Sequence, residues 1–140
     1  AALEGRGTLA DWLTCTVKPI TDHLAALGSP SWYARFLAGA ITDPGLREVV
    51  FEDAVSSPTM RTLFAEVNAR LPALPPAVLE ARGVMSQHLI VNTCADHERA
   101  LQARSRTPFK SWQALCDATM DALLGLWLAP VRHAASESPN

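Results

Sequence analysis

The chain lacks the features that mark several large classes of protein. Its twelve lysines and arginines are scattered singly, and its formal net charge is −2. Because proteins that grip nucleic-acid phosphates usually present a clustered basic face, we do not expect the chain on its own to bind nucleic acid. A glycine-rich phosphate loop, a His-Glu-x-x-His motif and a Gly-x-Ser-x-Gly motif are all missing. We therefore predict that it is not an enzyme and has no catalytic residue.

Cysteine is scarce, with Cys15, Cys94 and Cys116 widely spaced along the chain. An odd number of distant cysteines does not suggest a disulfide framework and favours reduced thiols in the cytoplasm. Cys94 and His97 lie three residues apart on a predicted helix, close enough to share a metal ion, but no second pair stands at ligand spacing. We interpret Cys94 as a core residue beside a surface histidine, and predict no metal and no cofactor.

Long apolar runs are also few. The strongest runs from Ala122 to Pro130 and is roughly half as long as a bilayer-spanning helix, so no membrane partner is expected. It is nevertheless apolar on every side, whereas a helix in a small domain needs only one apolar face. Either its own chain wraps this helix or a second subunit covers it. We favour the second subunit, because the helix comes last and the tail from His133 to Asn140 is small and polar.

The residues that are present indicate a single helical domain over 1–140. Hydrophobic residues make up 49% of the chain and charged residues 19%, which is enough apolar material for a core. Apolar residues recur every three or four positions, and no useful stretch alternates with period two. We predict an all-α bundle of about six helices, with a helical core over 8–130 and frayed ends over 1–7 and 131–140.

Prolines locate the ends of these helices. Each of Ser29, Asp43, Ser57 and Thr107 precedes a proline, and a capping side chain followed by proline predicts a helix start. The proline-rich connector over 71–76 cannot continue a helix. A long penultimate helix is therefore predicted from about Pro76 to Ala103, and a final helix from Pro108 to about Ala129.

The penultimate helix has two apolar faces. Met85 lies on one of them, and the small residue Gly83 lies on nearly the opposite one, where it would allow another helix to approach closely. Two consecutive helices with surplus apolar surface suggest a four-helix interface between two copies of the chain. The residues predicted at this dimer interface are Gly83, Ile90, Cys94, Met120, Leu124, Trp127 and Leu128.

Aromatic and sulfur-containing side chains are distributed over several predicted helices, as in pockets that bind small apolar molecules. His88 and Asn92, four residues apart on the face of Met85, would supply polar groups that orient the guest. The alternative is that these large residues fill an ordinary core. The predicted ligand-binding residues are Trp32, Phe36, Phe51, Met60, Phe64, Met85, His88 and Asn92.

A set of segments then gives the chain a family likeness: Ser31–Phe36, Thr42–Arg47, Ser57–Arg61, the connector over 71–76 and Leu123–Pro130. Together they resemble the C-terminal regulatory domain of tetracycline-repressor-like (TetR family) transcription regulators, over roughly residues 8–130. The resemblance implies a homodimer built by the last two helices and a ligand cavity among the preceding helices. It also implies that operator DNA is bound through an N-terminal helix-turn-helix head, which we expect to be absent from this chain.

The function expected from this resemblance is effector sensing and homodimerisation. An apolar or amphipathic small molecule would favour one of two helix arrangements, and so control DNA binding by the head. Two alternatives stay open: a structural dimerisation domain without a ligand, and a small helical lipid-binding protein or enzyme that is complete as it stands. A dry, filled interior would favour the structural alternative.

Overall fold

The computed structural model describes residues 5–132, apart from the side chains at positions 54 and 55. All the regular elements in this part of the chain are helices, which confirms the predicted all-α fold. They are α1 (Leu9–Leu27), α2 (Tyr33–Thr42), α3 (Pro44–Ser56), α4 (Pro58–Arg70), α5 (Pro76–Ala103) and α6 (Trp112–Leu128). Within residues 5–132, no helix is both long enough and apolar enough to cross a lipid bilayer.

Local cap chemistry sets the ends of α1, and prolines set the starts of three further helices. At the start of α1 the Thr8 hydroxyl accepts from the backbone N–H of Asp11, whose carboxylate accepts from the backbone N–H of Thr8. The helix ends at Gly28, whose φ of 67° lies in the left-handed region that favours glycine. Helices α3, α4 and α5 begin at the prolines from which they were predicted.

The start of α6 differs from the prediction. Its N-cap is Ser111, whose hydroxyl accepts from the backbone N–H of Ala114 at 3.1 Å. Thr107 does not cap the helix because its hydroxyl is 2.8 Å from Nδ1 of His97 and accepts from the backbone N–H of Phe109. A side chain that caps well in isolation is thus engaged in a tertiary contact, and the helix starts four residues later than Pro108.

The core consists of two clusters. The larger one joins α1, α4 and α6, and includes Leu13, Val67, Leu123 and Trp127. The second joins α1, α2, α5 and α6 around Cys94, which is fully buried. Burial raises the pKa of the Cys94 thiol to about 12, so this sulfur stays protonated and unreactive at neutral pH.

Helix α3 contributes little to either cluster. None of its described side chains is buried, and its apolar residues Leu46, Val49 and Phe51 are largely exposed. It contacts α2 and α4, its neighbours in the chain. Helix α3 is therefore held mainly from its two ends, and the space beneath it is open.

Helix α2 is capped mainly by a carboxylate from another helix, and the hydroxyl of Ser31 accepts from the backbone N–H of Tyr33. The Glu98 side chain, 3% exposed, accepts from the Ser31 hydroxyl at 2.8 Å and from the backbone N–H groups of Ala34 and Arg35. Its Oε1 also pairs with Nε of Arg35 at 3.1 Å. Burial alone would raise the pKa of Glu98, but these hydrogen bonds outweigh it and hold the pKa below 4.5. The first turn of α2 therefore forms at Tyr33 and not after Ser29.

We predict that Glu98→Gln destabilises the chain by about 2 kcal/mol, because the amide loses the charge and half of the acceptor capacity that this cap uses. Urea unfolding at pH 7 measures the loss. The folded-state pKa of Glu98 lies below its ordinary value of 4.5. Its contribution is therefore complete above that pH and is lost as the pH falls through the folded-state pKa.

The matched control is Asp96→Asn on the same helix. Asp96 pairs with Arg99 at 2.7 Å, but both side chains are exposed, so the change should cost less than about 0.5 kcal/mol. Equal losses for the two variants would contradict the capping role of Glu98.

Candidate functional site

A cavity of about 760 Å³ lies between α1, α3, α4, α5 and α6. Cavities of roughly 300–1,000 Å³ with apolar walls are typical of sites for small molecules. The side of the cavity near α3 is open to solvent. Phe51 on α3 and Phe64 on α4 line this side, and they are 60% and 44% exposed. The deeper wall is formed by core residues of α6, Leu123 and Trp127.

Helical spacing explains how each element contributes to the wall. Residues three, four or seven apart share one face of a helix, so a single face of each helix can line the same space. Helix α4 contributes Met60 and Phe64, and α5 contributes Gly83 and Ile90. On α6, Leu123 and Trp127 are four residues apart and form the deep wall from one face of that helix.

The structure brings three of the predicted ligand-binding residues together at this cavity: Phe51, Met60 and Phe64. The other five lie elsewhere. Trp32, which precedes α2, and Phe36 on α2 are 62% and 67% exposed and lie outside the cavity. The guanidinium of Arg35 stacks over the Trp32 ring at 3.6 Å, next to the carboxylate of Glu98.

The remaining three predicted ligand residues lie on the side of α5 that does not line the cavity. Met85 is 53% exposed, His88 is half-buried and Asn92 is exposed. Nδ2 of Asn92 lies 3.4 Å from Nδ1 of His88, so these polar groups contact each other. None of the three lines the cavity.

The face of α5 that was predicted to meet a second copy lines the cavity, and the face that was predicted to bind a ligand does not. Gly83, Ile90 and Trp127 were predicted at a dimer interface, and all three line the cavity. The physical reason is that Leu79 and Ile90 pack against the larger core cluster, which turns their face of α5 inward. A Cβ atom at Gly83 would meet no atom within 4 Å, so close packing within the chain does not explain this glycine.

The other predicted interface residues divide into buried and exposed ones. Cys94 and Met120 are buried within the chain itself and have almost no surface to offer a partner. Leu124 is half-buried, and Leu128 is 55% exposed. The end of α6 is therefore covered on one side by its own chain and open on the other.

Sequence reasoning missed the aliphatic and polar parts of the wall. Leu13 and Ile20 on α1 belong to a regular apolar stripe, which looks the same whether it faces a filled core or a cavity. Thr16 lies between them in the wall. From the sequence, Gly83 indicates a close approach by another helix, whereas in the structure it lines the cavity.

Arg82, beside Gly83 in the chain, connects the cavity wall to the end of α6. Its buried guanidinium donates to the backbone carbonyl of Trp127 at 2.8 Å and to that of Ala129 at 2.6 Å. The last carbonyls of a helix have no hydrogen-bond partner within the helix, and they lie at the negative end of its dipole. The guanidinium of Arg82 donates hydrogen bonds to these carbonyls and also places a positive charge beside the dipole. This contact fixes how α5 and α6 lie at the cavity.

A smaller cavity of about 240 Å³ adjoins His97 near the start of α6. The predicted surface histidine is in fact buried, because the rings of Phe109 and Trp112 pack edge-on to the imidazole. Burial lowers the pKa of His97 below 6.5, which keeps the ring neutral at pH 7. No three histidine, cysteine or acidic side chains converge at a metal-ligand distance anywhere in residues 5–132.

Comparison with known proteins gives one finding. A family model described as "Tetracyclin repressor-like, C-terminal domain" matches residues 14–125, from the first turns of α1 to near the end of α6. No curated protein and no solved structure gives a significant match. The matched range contains both the large cavity and the helices that surround it.

We predict that Gly83→Ala raises the free energy of unfolding by about 1 kcal/mol, because alanine favours the helix and its Cβ enters open space. Thermal and urea unfolding measure the change. Gly39→Ala on α2 is the matched control, since a Cβ there also meets nothing within 4 Å. A Gly83→Ala variant that is less stable than the parent would show that another helix packs tightly on Gly83.

Proposed function

This chain belongs to the tetracyclin repressor-like C-terminal domains, which regulate transcription, and we propose that it senses a small molecule and holds two copies of its regulator together. The observation that carries the sensing role is the large cavity with apolar walls, open to solvent beside α3. The family is regulatory, and we give no residue of the chain a catalytic role. Operator DNA would be bound by a separate helix-turn-helix head of the parent protein, in the cytoplasm.

The ligand-binding residues proposed from the structure are those of the cavity. Phe51, Met60 and Phe64 are retained from the sequence-based set, and Gly83 and Ile90 join them. An apolar or amphipathic molecule would bury aromatic and aliphatic surface there, at about 25 cal/mol for each Å² removed from water. A purely structural domain would have no need of such a space, and its interior would be expected to be filled.

The dimer interface is proposed on the sides of α5 and α6 that the chain leaves open. On α5 this side carries Ala81 and Met85, and on α6 it carries Ala122, Gly125 and Leu128, all exposed. The spacing of three or four residues makes each set a continuous stripe on its helix. Small residues with a few large apolar ones allow two helix pairs to pack closely as a four-helix bundle.

The two sites would communicate through α5 and α6, because opposite sides of the same helices serve both. The Arg82 contact ties the cavity wall at Trp127 to the α6 end that carries Leu128. A ligand that fits one arrangement of this pair better than the other would bias the dimer by the difference between its two affinities. The DNA-binding heads would respond to that bias.

We predict that Phe64→Ala weakens binding of the neutral fluorescent probe N-phenyl-1-naphthylamine by about fivefold, because the probe loses an aromatic contact. Fluorescence titration measures the Kd. Phe36→Ala is the matched control, since Phe36 lies outside the cavity and should leave the Kd unchanged. If only Phe36→Ala weakened binding, the probe would bind at α2 and not in the cavity. If the probe gave no saturable signal at all, the sensing role would be contradicted.

We predict that the chain sediments at about twice its monomer mass of 15.1 kDa and that Ala122→Arg returns it to the monomer. A buried arginine at a helix–helix contact would be large, charged and without a partner. Ala26→Arg, also at an exposed helical position but on α1, should leave the dimer intact. Unchanged assembly of Ala122→Arg, with unchanged helicity by circular dichroism, would exclude this face.

A further inference from the structure

We infer that the large cavity selects hydrophobic cations, such as alkyl or aryl ammonium compounds, over neutral and anionic molecules of the same size. The inference rests on the proposed function, because it names the class of ligand that the sensing cavity takes. Three features of the wall support it: the state of its hydroxyl groups, the balance of its charges, and the aromatic rings around it.

The hydroxyl groups of Thr16 and Ser86 in the cavity wall already donate hydrogen bonds to carbonyls of their own helices. Oγ1 of Thr16 donates to the carbonyl of Leu13 at 2.6 Å, and Oγ of Ser86 donates to the carbonyl of Arg82 at 2.8 Å. Both residues line the cavity. A hydroxyl that donates to its own helix has only lone pairs left for a guest. The two hydroxyls therefore present the negative ends of their dipoles to the cavity, which favours a positively charged guest.

The charged side chains that line the cavity are two carboxylates, Glu48 and Glu80, and one guanidinium, Arg47. All three are exposed, so they lie at the rim. Within residues 5–132 none of them takes part in an ion pair. The rim therefore carries a net negative charge, and its carboxylates are available to a cationic guest.

The one buried cation near the cavity is not available to an anionic guest. Arg82 directs its guanidinium to the carbonyls of Trp127 and Ala129 at the end of α6.

The charged group left for an anionic amphiphile is Arg47, which is exposed to solvent and is followed in the chain by Glu48. The amides of Asn68 and Gln87 also line the cavity, but they donate and accept equally and do not favour either charge. Glu48 and Glu80 lie at the same rim and outnumber Arg47, so the rim as a whole does not attract an anion.

Aromatic rings complete the chemistry. Phe51, Phe64 and Trp127 line the cavity from three different helices. The face of an aromatic ring attracts a cation within about 6 Å of its centre, and the attraction is larger where water is excluded. A quaternary ammonium group cannot donate a hydrogen bond, so it does not require an acceptor in the wall. It is attracted instead by the faces of aromatic rings and by nearby carboxylates.

The experiment uses three probes with the same ten-carbon chain: decyltrimethylammonium, decanol and decanoate. Each competes with N-phenyl-1-naphthylamine for the full chain, below its micelle concentration. We expect the cation to displace the dye at about tenfold lower concentration than decanoate, with decanol between them. Decanoate or decanol binding as tightly as the cation would overturn the inference and leave the sensing role intact.

Substitutions of Glu48 and Glu80 test whether the rim carboxylates cause the preference for cations. Glu48→Gln combined with Glu80→Gln should weaken binding of the cation by about fivefold and leave decanol unchanged. Glu52→Gln on α3 is the matched control, because Glu52 does not line the cavity. Unchanged binding of the cation in the double variant would overturn the inference. Failure of all three probes to displace a dye that binds saturably would overturn the inference, whereas absence of dye binding would overturn the sensing role as well.

Discussion

Helix α5 carries apolar residues on more than one side, and the other helices of the chain cover only part of them. One side packs on α2 and α6, another looks into the large cavity, and a third, around Met85, is left open. Exposed apolar surface on this scale favours contact with something else. The apolar surface of α5 is thus divided among the other helices of its own chain, the cavity and the proposed dimer face.

Two buried charges fix the position of α5. Glu98 near one end caps α2 and pairs with Arg35, while Arg82 nearer the other end caps the last carbonyls of α6. Breaking either contact would leave a buried charge without its partners, which costs more than the contact itself contributes. The helix is thus held against α2 and α6 by polar contacts of defined geometry, which apolar packing alone would not supply.

Local signals predict most of the fold, because caps and prolines lie within a few residues of the ends they set. This holds for α1, α3, α4 and α5. It fails at α2, whose cap is Glu98, a residue distant in sequence, and at α6, where Thr107 contacts His97 instead.

The site was less predictable than the fold. The aromatic residues of α3 and α4 could be placed, but the two apolar faces of α5 look alike in sequence. Which face turns inward depends on the packing of Leu79 and Ile90 against the larger core cluster, a contact between distant parts of the chain that no spacing rule contains.

Native mass spectrometry of Gly83→Leu with a cavity probe separates the cavity face of α5 from the dimer face, because one spectrum counts both chains and bound molecules. Leucine at this position would fill space where a Cβ now meets nothing within 4 Å. We expect a species of two chains without probe for Gly83→Leu, where the parent shows two chains with probe. A single chain that still carries the probe would mean that this face of α5 joins the two copies and does not line a ligand cavity.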